Sequence, residues 1–297
     1  MRTFSAIVRR NVKMFFKDKG MFFTSLITPI ILLVLYATFL ARIYRDSFVS
    51  ALPDGLAIDE KLISATVGGQ LMSSLLAVSC VTVSFCANLL SVQDRVSGAR
   101  KDMLVTPVRR STIAGAYYVG TLATTVIVSL VATAACFVYL AINGWYLFFG
   151  DVALIILDVV ILTMFGTALA SVVNAFLTSS GQASAVGTIV SAGYGFICGA
   201  YMPISQFGGA LGNIMMFLPG TYGTSLIRNH CLGGVYREMS SIGFPSGVVE
   251  GIKDSVDCNI YFFGSSVPIG AMYAVILGAV VVLVGAYVLI NVLKKRA

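Results

Sequence analysis

Long apolar segments alternate with short polar ones along the chain. Six of them are 21 to 30 residues long. At about 1.5 Å per residue in a helix, such lengths cross a hydrocarbon core of about 30 Å. The pattern predicts an all-α polytopic membrane protein, a single transmembrane domain over 1–297, with spans at residues 21–41, 62–90, 113–142, 152–177, 183–205 and 267–293.

The first 20 residues have a different pattern, typical of an amphipathic helix at the membrane surface. At about 100° per residue, Phe4 and Phe15 share one side with three aliphatic residues. The basic residues occupy the other side, and they include Arg9, Lys13 and Lys17. Such a helix buries its apolar side at headgroup level and turns its basic side toward anionic lipid or a partner. A simple topology anchor fits the same pattern.

The second span is unusually polar. Polar side chains are costly against lipid tails, so this span is expected to face other helices or a cavity. Its serines and threonines suit helix packing. Gln70 and Asn88 are candidates for positions along a transport pathway, although packing explains them as well.

A charged stretch at residues 91–110 separates the second and third spans. Val92, Val96, Ala99 and Met103 recur at helical spacing, which predicts a short amphipathic helix that ends before Pro107. Four hydrophilic residues are predicted to lie away from its apolar face: Gln93, Asp94, Arg100 and Lys101. A soluble motor could use this helix as a handle. The alternative is an ordinary cytoplasmic loop that is rich in Lys and Arg.

The fifth span contains small residues at every fourth position, namely Ala183, Gly187, Ser191, Gly195 and Gly199. A stripe of small side chains lets another helix approach closely. The partner helix could belong to this chain or to a second copy.

Residues 206–266 do not resemble an ordinary loop. The apolar, Gly-rich segment that begins this region is too short to span a membrane, and Pro219-Gly220 interrupts it before a helical pattern resumes. This pattern predicts two short re-entrant helices on the outer side. Backbone at such a depth must be covered by protein or water.

Three further residues are chemical candidates. Asp158 is the acidic residue placed within a span, where a carboxylate suggests either a functional group or a structural hydrogen bond. Cys231 and Cys258 both fall on the outer side, where a disulfide could join them. The sequence gives no distance between the two, so free thiols are the alternative.

Composition supports a membrane location. The chain is 58% hydrophobic and 11% charged, with a mean hydropathy of +0.91, whereas a soluble domain has about 25% charged residues. Of its 20 Lys and Arg residues, 14 lie on the side of both termini, which predicts cytoplasmic termini. The basic residues cluster at span ends, so nucleic acid is not expected as a partner. The sequence contains no phosphate-binding loop and no metal-binding motif.

Two stretches resemble the permeases of type-2 ATP-binding-cassette (ABC) exporters. The first comprises Asp94-Arg95, Gly98, Leu104, Thr106-Pro107-Val108 and Gly115. The second runs from Leu218-Pro219-Gly220-Thr221-Tyr222-Gly223 through Leu226 and Arg228. The chain departs from the family pattern with Asp94 where Glu is commoner, and with Arg100-Lys101 where an acidic residue often lies.

The resemblance implies a permease subunit in the cell membrane. A second permease subunit, identical or paralogous, would pair with it, and two separate ATPase subunits would bind ATP and Mg and drive efflux. The Val92–Met103 segment would be the coupling helix, with Asp94, Arg95, Gly98, Arg100 and Pro107 in the coupling loop. Residues 1–20 would be the connecting helix. The second and fifth spans would line the pathway, and an outer lid would include Pro219, Gly220 and Tyr222.

Two other classes of protein fit the residues less well. An ion-coupled secondary transporter needs ionisable groups near the membrane centre and usually contains an internal repeat. A membrane-embedded enzyme needs paired carboxylates, a histidine cluster or a nucleophile with its base. The spans contain none of these patterns.

Overall fold

The computed structural model describes residues 2–50, 59–207 and 209–293. In this part of the chain the fold is all-α except for one short β-hairpin. The helices are α1 Arg2–Lys17, α2 Lys19–Leu35, α3 Ala41–Ser50, α4 Glu60–Val96, α5 Ala99–Val105, α6 Arg110–Asn143, α7 Phe149–Ala175, α8 Ser180–Ile197, α9 Gly209–Met215, α10 Pro219–Ser241, α11 Ser246–Ser255 and α12 Ile269–Leu293.

Three short elements complete the description. A π-helical turn at Tyr36–Leu40 joins α2 to α3, and a 3-10 turn at Ile204–Gln206 precedes α9. Strands β1 (Tyr261–Phe262) and β2 (Ser265–Ser266) form an antiparallel hairpin in which Tyr261 lies opposite Ser266. The end of the bundle that contains this hairpin is called the hairpin end below, and the end that contains α1 and α5 is called the loop end.

Helix α4 is the centre of the bundle. It contacts α2, α3, α6, α7, α8 and α10, and 89% of its most apolar 18-residue window is buried. The polar residues of this helix therefore face other helices, as its composition predicted. For example, the Ser84 hydroxyl lies 3.2 Å from the Thr167 hydroxyl of α7.

Helices α4 and α7 approach each other closely at Gly166. A Cβ atom at this position would lie 2.9 Å from the Val81 Cα and 3.0 Å from the Cys80 carbonyl oxygen. Only glycine fits such a contact without a shift of backbone.

Four described helices are long and apolar enough to cross a membrane, namely α4, α6, α7 and α12. Helices α1 and α2 meet at an angle of 74°, and this bent pair gives a fifth candidate if it counts as one span. The predicted spans 62–90, 113–142, 152–177 and 267–293 fall on the four long helices. The spans 21–41 and 183–205 fall on α2 with the turn after it and on the 18-residue α8. The count of six spans stays a prediction.

The region before the last span differs from the sequence prediction. Helix α9 is short, but α10 has 23 residues and packs against α4, α7 and α12. Pro219 occupies the first turn of α10, where the missing N–H group costs nothing, so it starts this helix. The two short re-entrant helices expected within 206–266 are therefore one short helix and one long helix, together with α11 and the hairpin.

Helix α1 packs its apolar side against the bundle. Phe15 is 1% exposed and lies in a cluster with Met21, Val83 and Leu90. The basic residues Arg9, Lys13 and Lys17 are exposed on the other side. The basic C-terminal residues 294–296, which contributed to the predicted orientation, lie outside the described residues.

Candidate coupling site

The loop between α4 and α6 projects from the loop end of the bundle. Helix α4 ends at Val96, and Gly98 takes a left-handed conformation with φ of 87° before α5 begins. No atom lies within 4 Å of where a Cβ of Gly98 would be, so backbone conformation rather than space favours glycine here. The prediction of one continuous helix from Val92 to Met103 is therefore wrong.

The break divides the predicted apolar face. Val92 is 1% exposed within the bundle, and the Met103 sulfur lies 3.9 Å from the Tyr117 hydroxyl. The apolar side chains that α4 and α5 expose here are Val96, Leu104 and Val105, of which Val105 is 87% exposed. These three residues are called the docking patch below. Pro107 is exposed directly after them.

Asp94 is buried and does not lie on an exposed face as predicted. It is 3% exposed, and it forms a bidentate ion pair with Arg10 of α1, with nitrogen–oxygen distances of 2.6 and 3.0 Å. The Tyr117 hydroxyl donates a further hydrogen bond of 2.6 Å to the carboxylate. Hydrogen bonding to Asp94 raises the pKa of the Arg10 guanidinium above its ordinary value, which keeps this group charged.

Arg95 connects the same turn of α4 to the end of α7. Its Nη1 atom donates to the carbonyl oxygens of Asn174, Ala175 and Leu177 at 3.0, 3.2 and 2.6 Å. The last carbonyl groups of a helix have no partner within that helix, and a positive charge is favourable beside them. Arg95 therefore caps α7 from a neighbouring helix.

Arg100 connects α5 to the last helix. Its Nη2 atom donates to the Asn291 side chain of α12 at 2.5 Å, and its guanidinium carbon lies 6.0 Å from the centre of the Tyr117 ring. The loop that carries the docking patch is thus attached to α1, α7 and α12 by three arginine contacts.

Asn88 lies one turn before Val92 on α4, in a network of polar side chains. Its amide nitrogen donates to Ser171 at 3.0 Å and to Thr121 at 3.5 Å. Its amide oxygen accepts from Asn174 and Ser91, both at 3.0 Å. Both polar atoms of this side chain are hydrogen-bonded, so Asn88 packs α4 against α6 and α7.

Gln70 lies toward the hairpin end of α4 and has a different environment. It lines a cavity of about 440 Å³ together with residues of α3, α10 and α11. The structure therefore separates the two candidate pathway residues, one in a packing network and one at a cavity.

The predicted lid residues surround the start of α10. A Cβ atom on Gly220 would lie 2.5 Å from the Tyr194 hydroxyl of α8, so glycine permits this close contact after Pro219. The Tyr222 hydroxyl donates to the Met216 carbonyl at 2.7 Å.

Arg228, which belongs to the second motif, is fully buried below that segment. It donates to the carbonyl oxygens of Val256 and Gly199 at 2.5 and 2.9 Å, and it lies 3.7 Å from the Asp257 carboxylate. Asp257 also accepts from the backbone N–H of Ile204 at 2.7 Å.

Asp158 has two partners from other helices. His230 of α10 bonds to it through Nδ1 at 2.5 Å, and the Tyr273 hydroxyl of α12 donates to its other oxygen. All three side chains join α7, α10 and α12, which supports the structural interpretation of this carboxylate. His230 is the single histidine of the chain, and no local pattern in the sequence connects it with Asp158.

The stripe of small residues is divided between two environments. Ala183 is buried, and Gly187 has no atom within 4 Å of where its Cβ would be, with Ser191 half-buried. A Cβ on Gly195 would lie 2.3 Å from the Tyr201 ring, and Gly199 forms the left-handed turn after α8 with φ of 72°. The last two glycines therefore serve the turn.

Cys231 and Cys258 are both buried free thiols. Of the two alternatives for this pair, the structure shows free thiols and no disulfide, and the Cys258 sulfur lies 3.4 Å from the Tyr236 hydroxyl. In the described residues, no group of three His, Cys, Asp or Glu side chains could hold a metal ion.

The long apolar helices, together with the buried polar residues of α4, define a multi-pass membrane protein. Residues 2–231 match the sequence model of the ABC-2 type transporter family, and this chain belongs to that family. Members of the family are membrane subunits of ABC transporters and typically work with an ATPase. No curated protein has a sequence that matches this chain.

Proposed function

We propose that this chain is the permease subunit of an ABC exporter and that a separate pair of ATPase subunits drives it through the loop at residues 91–110. The chain lines the substrate pathway, and the ATPase subunits hold ATP and Mg. A second permease subunit completes the transporter, and the cargo moves out of the cell.

The observation that supports this proposal is an exposed apolar patch on a firmly attached loop. Val105 is 87% exposed and Val96 is 54% exposed, and exposed apolar residues that lie together mark interaction sites. A loop beyond the span ends has water around it, so these side chains gain free energy when a protein partner covers them.

The arginine contacts provide the route by which movement of the loop reaches the spans. A push on α5 acts on α12 through Arg100 and Asn291, and a push on the end of α4 acts on α7 through Arg95. Asp94 transmits the same displacement to α1 through Arg10. Packed helices move as rigid bodies, so such contacts convert a local push into a change of helix positions.

The proposed orientation places the loop end in the cytoplasm of the cell, with both termini, and the hairpin end outside. The excess of Lys and Arg near the loop end supports this orientation. The proposed location is the plasma membrane.

Affinity purification of the tagged chain from its native membrane tests the proposal. The wild-type chain is expected to retain a protein that contains a phosphate-binding loop, and the reconstituted pair is expected to hydrolyse ATP. The variant Leu104→Asp/Val105→Asp is expected to lose that partner, because two charges would have to be buried in the apolar contact.

Ile242→Asp is the matched control, since Ile242 is 51% exposed and lies at the hairpin end. It should retain the ATPase. A wild-type chain that retains no such ATPase, or a purified chain that transports with an ion gradient alone, contradicts the proposal and favours the secondary transporter.

A further inference from the structure

The cavity beside Gln70 has the size of a small-molecule site. Its volume is about 440 Å³, and ligand sites in proteins commonly have about 300–1,000 Å³. It is bounded by α3, α4, α10 and α11 and by the segment that follows Gly199. It thus lies within one chain, toward the hairpin end.

Gln70 places an amide side chain at this cavity. The residue is 5% exposed and lines the cavity, whereas the amide of Asn88 on the same helix is hydrogen-bonded to Ser171 and Asn174. The amide of Gln70 can both donate to and accept from a molecule in the cavity.

Aromatic rings form much of the remaining wall. Tyr44, Phe48, Tyr201 and Tyr236 all line the cavity. Two of the hydroxyl groups are already engaged, since Tyr44 donates to the Tyr201 carbonyl and Tyr236 contacts the Cys258 sulfur. The rings therefore offer mainly apolar faces, which suit flat or aromatic groups.

The described part of the cavity wall is uncharged. None of its described lining residues is Asp, Glu, Lys, Arg or His. The buried Arg228 is not among the lining residues: it donates to the carbonyls of Val256 and Gly199 and lies 3.7 Å from Asp257, while its Nε has no hydrogen-bond partner among the described residues. An ionised ligand would lose hydration here without gaining a counter-charge from a described lining residue, which favours an uncharged ligand.

We infer that this cavity binds an uncharged molecule that has an aromatic or flat apolar body and one hydrogen-bonding group directed at Gln70. This inference rests on the proposed function in one respect, since it identifies the bound molecule with the cargo class of the transporter. Binding itself requires only the permease chain.

Photolabelling of the purified chain tests the inference. The probe is 4-(hydroxymethyl)benzophenone, which is uncharged and carries two rings and one hydroxyl group. Its anionic analogue 4-benzoylbenzoate has the same rings and serves as the charge control. Excited benzophenone inserts preferentially beside the sulfur of methionine, and Met202 lines the cavity. Mass spectrometry of peptides locates the label.

The neutral probe is expected to label Met202 saturably, and the anionic probe is expected not to. Gln70→Leu should raise the half-saturating concentration about three- to tenfold, the effect of one lost hydrogen bond. Gln93→Leu makes the same change at an exposed position of α4 and should leave labelling unaltered. Met14, which is 37% exposed, reports non-specific labelling in the same experiment.

Three outcomes would overturn the inference. These are equal labelling of Met202 by both probes, labelling of Met14 as strong as that of Met202, and loss of Met202 labelling in phosphatidylcholine nanodiscs, which would assign the cavity to lipid. Because Met202 labelling is mapped on the wild-type chain, the result stands even if Gln70→Leu does not fold. No ATPase is present, so failure here leaves the test of the proposed function intact.

Discussion

Asp94 and Arg10 are 84 residues apart in sequence and form a bidentate ion pair at the loop end of the bundle. The pair joins the first helix to the end of the central helix. It also buries a carboxylate that the loop sequence placed on an exposed face.

Replacement of Arg10 by Met is expected to destabilise the protein, because among the described residues it leaves the buried Asp94 with the Tyr117 hydroxyl alone as a partner. Breaking a fully buried ion pair costs about 3–5 kcal/mol. Since the Arg10 side chain is 31% exposed, we expect about 2–3 kcal/mol. Thermal unfolding in detergent measures the loss.

Arg9→Met is the matched control for this pair, because Arg9 is the exposed neighbour on the same helix. It should not change the melting temperature. Equal melting temperatures for Arg10→Met and the wild-type chain would show that the ion pair does not hold α1 in place.

The divided apolar face leads to a second prediction. Val105→Asp should weaken ATPase binding and leave the melting temperature unchanged, since Val105 is 87% exposed. Met103→Asp should lower the melting temperature, because its side chain lies against Tyr117 near the carboxylate of Asp94. ATPase capture and thermal unfolding, measured on both variants, separate the two effects. If Val105→Asp instead lowers the melting temperature and Met103→Asp instead weakens ATPase binding, the face that binds the partner is the one with Val92 and Met103 that the sequence predicted.

Asp158 offers a test of the two roles that its sequence position left open. If it only joins helices, Asp158→Ala should cost about 2–4 kcal/mol, because His230 and Tyr273 each lose a buried partner. Tyr273→Phe removes one hydrogen bond and should cost about 1 kcal/mol. Thermal unfolding gives both values. A stable Asp158→Asn variant that binds the ATPase but no longer transports would instead assign the carboxylate to the transport cycle.

Cysteine alkylation distinguishes the free thiols of the structure from a disulfide between Cys231 and Cys258. Iodoacetamide should modify Cys231 and Cys258 after unfolding without reductant, and it should modify neither in the folded protein at neutral pH. Burial raises the pKa of the Cys258 thiol to about 11, above the ordinary value of about 8.5, so any reaction of the folded form should increase with pH. A pair of residues that reacts only after reduction would show that the disulfide forms.

The hydropathy pattern predicted the helical class and the four long helices because both depend on local composition. The partner of Asp94 depends on how α1 docks, and no local signal encodes that contact. The dipeptide Ser97-Gly98 is typical of turns and indicates the break before α5. The apolar spacing across this dipeptide favours a continuous helix instead. The sequence pattern does not predict the length of α10, because Pro219 interrupts the apolar pattern there, whereas proline also starts helices.

The sequence predicts which segment forms the candidate site but not which of its side chains are exposed. Helical spacing selected Val92 and Met103, which the structure places against the bundle, and passed over Val105. Which side of a short helix faces outward is decided by the turn before it. Likewise, Gln70 and Asn88 are alike in sequence and differ only in the neighbours that packing provides.

Two glycines test where helices pack in this chain and where a second copy packs. Gly166→Ala should cost about 1–3 kcal/mol, because the new Cβ would lie 2.9 Å from the Val81 backbone.

Gly187→Ala meets no atom within 4 Å and should stabilise α8 by about 0.5–1 kcal/mol in an isolated chain. If the small residues of α8 face a second permease subunit, the bulkier Gly187→Leu should reduce dimerisation in sedimentation measurements without lowering the melting temperature of the monomer. A dimer of unchanged affinity would remove Gly187 from the subunit interface and leave the partner of this stripe to be sought elsewhere on the bundle.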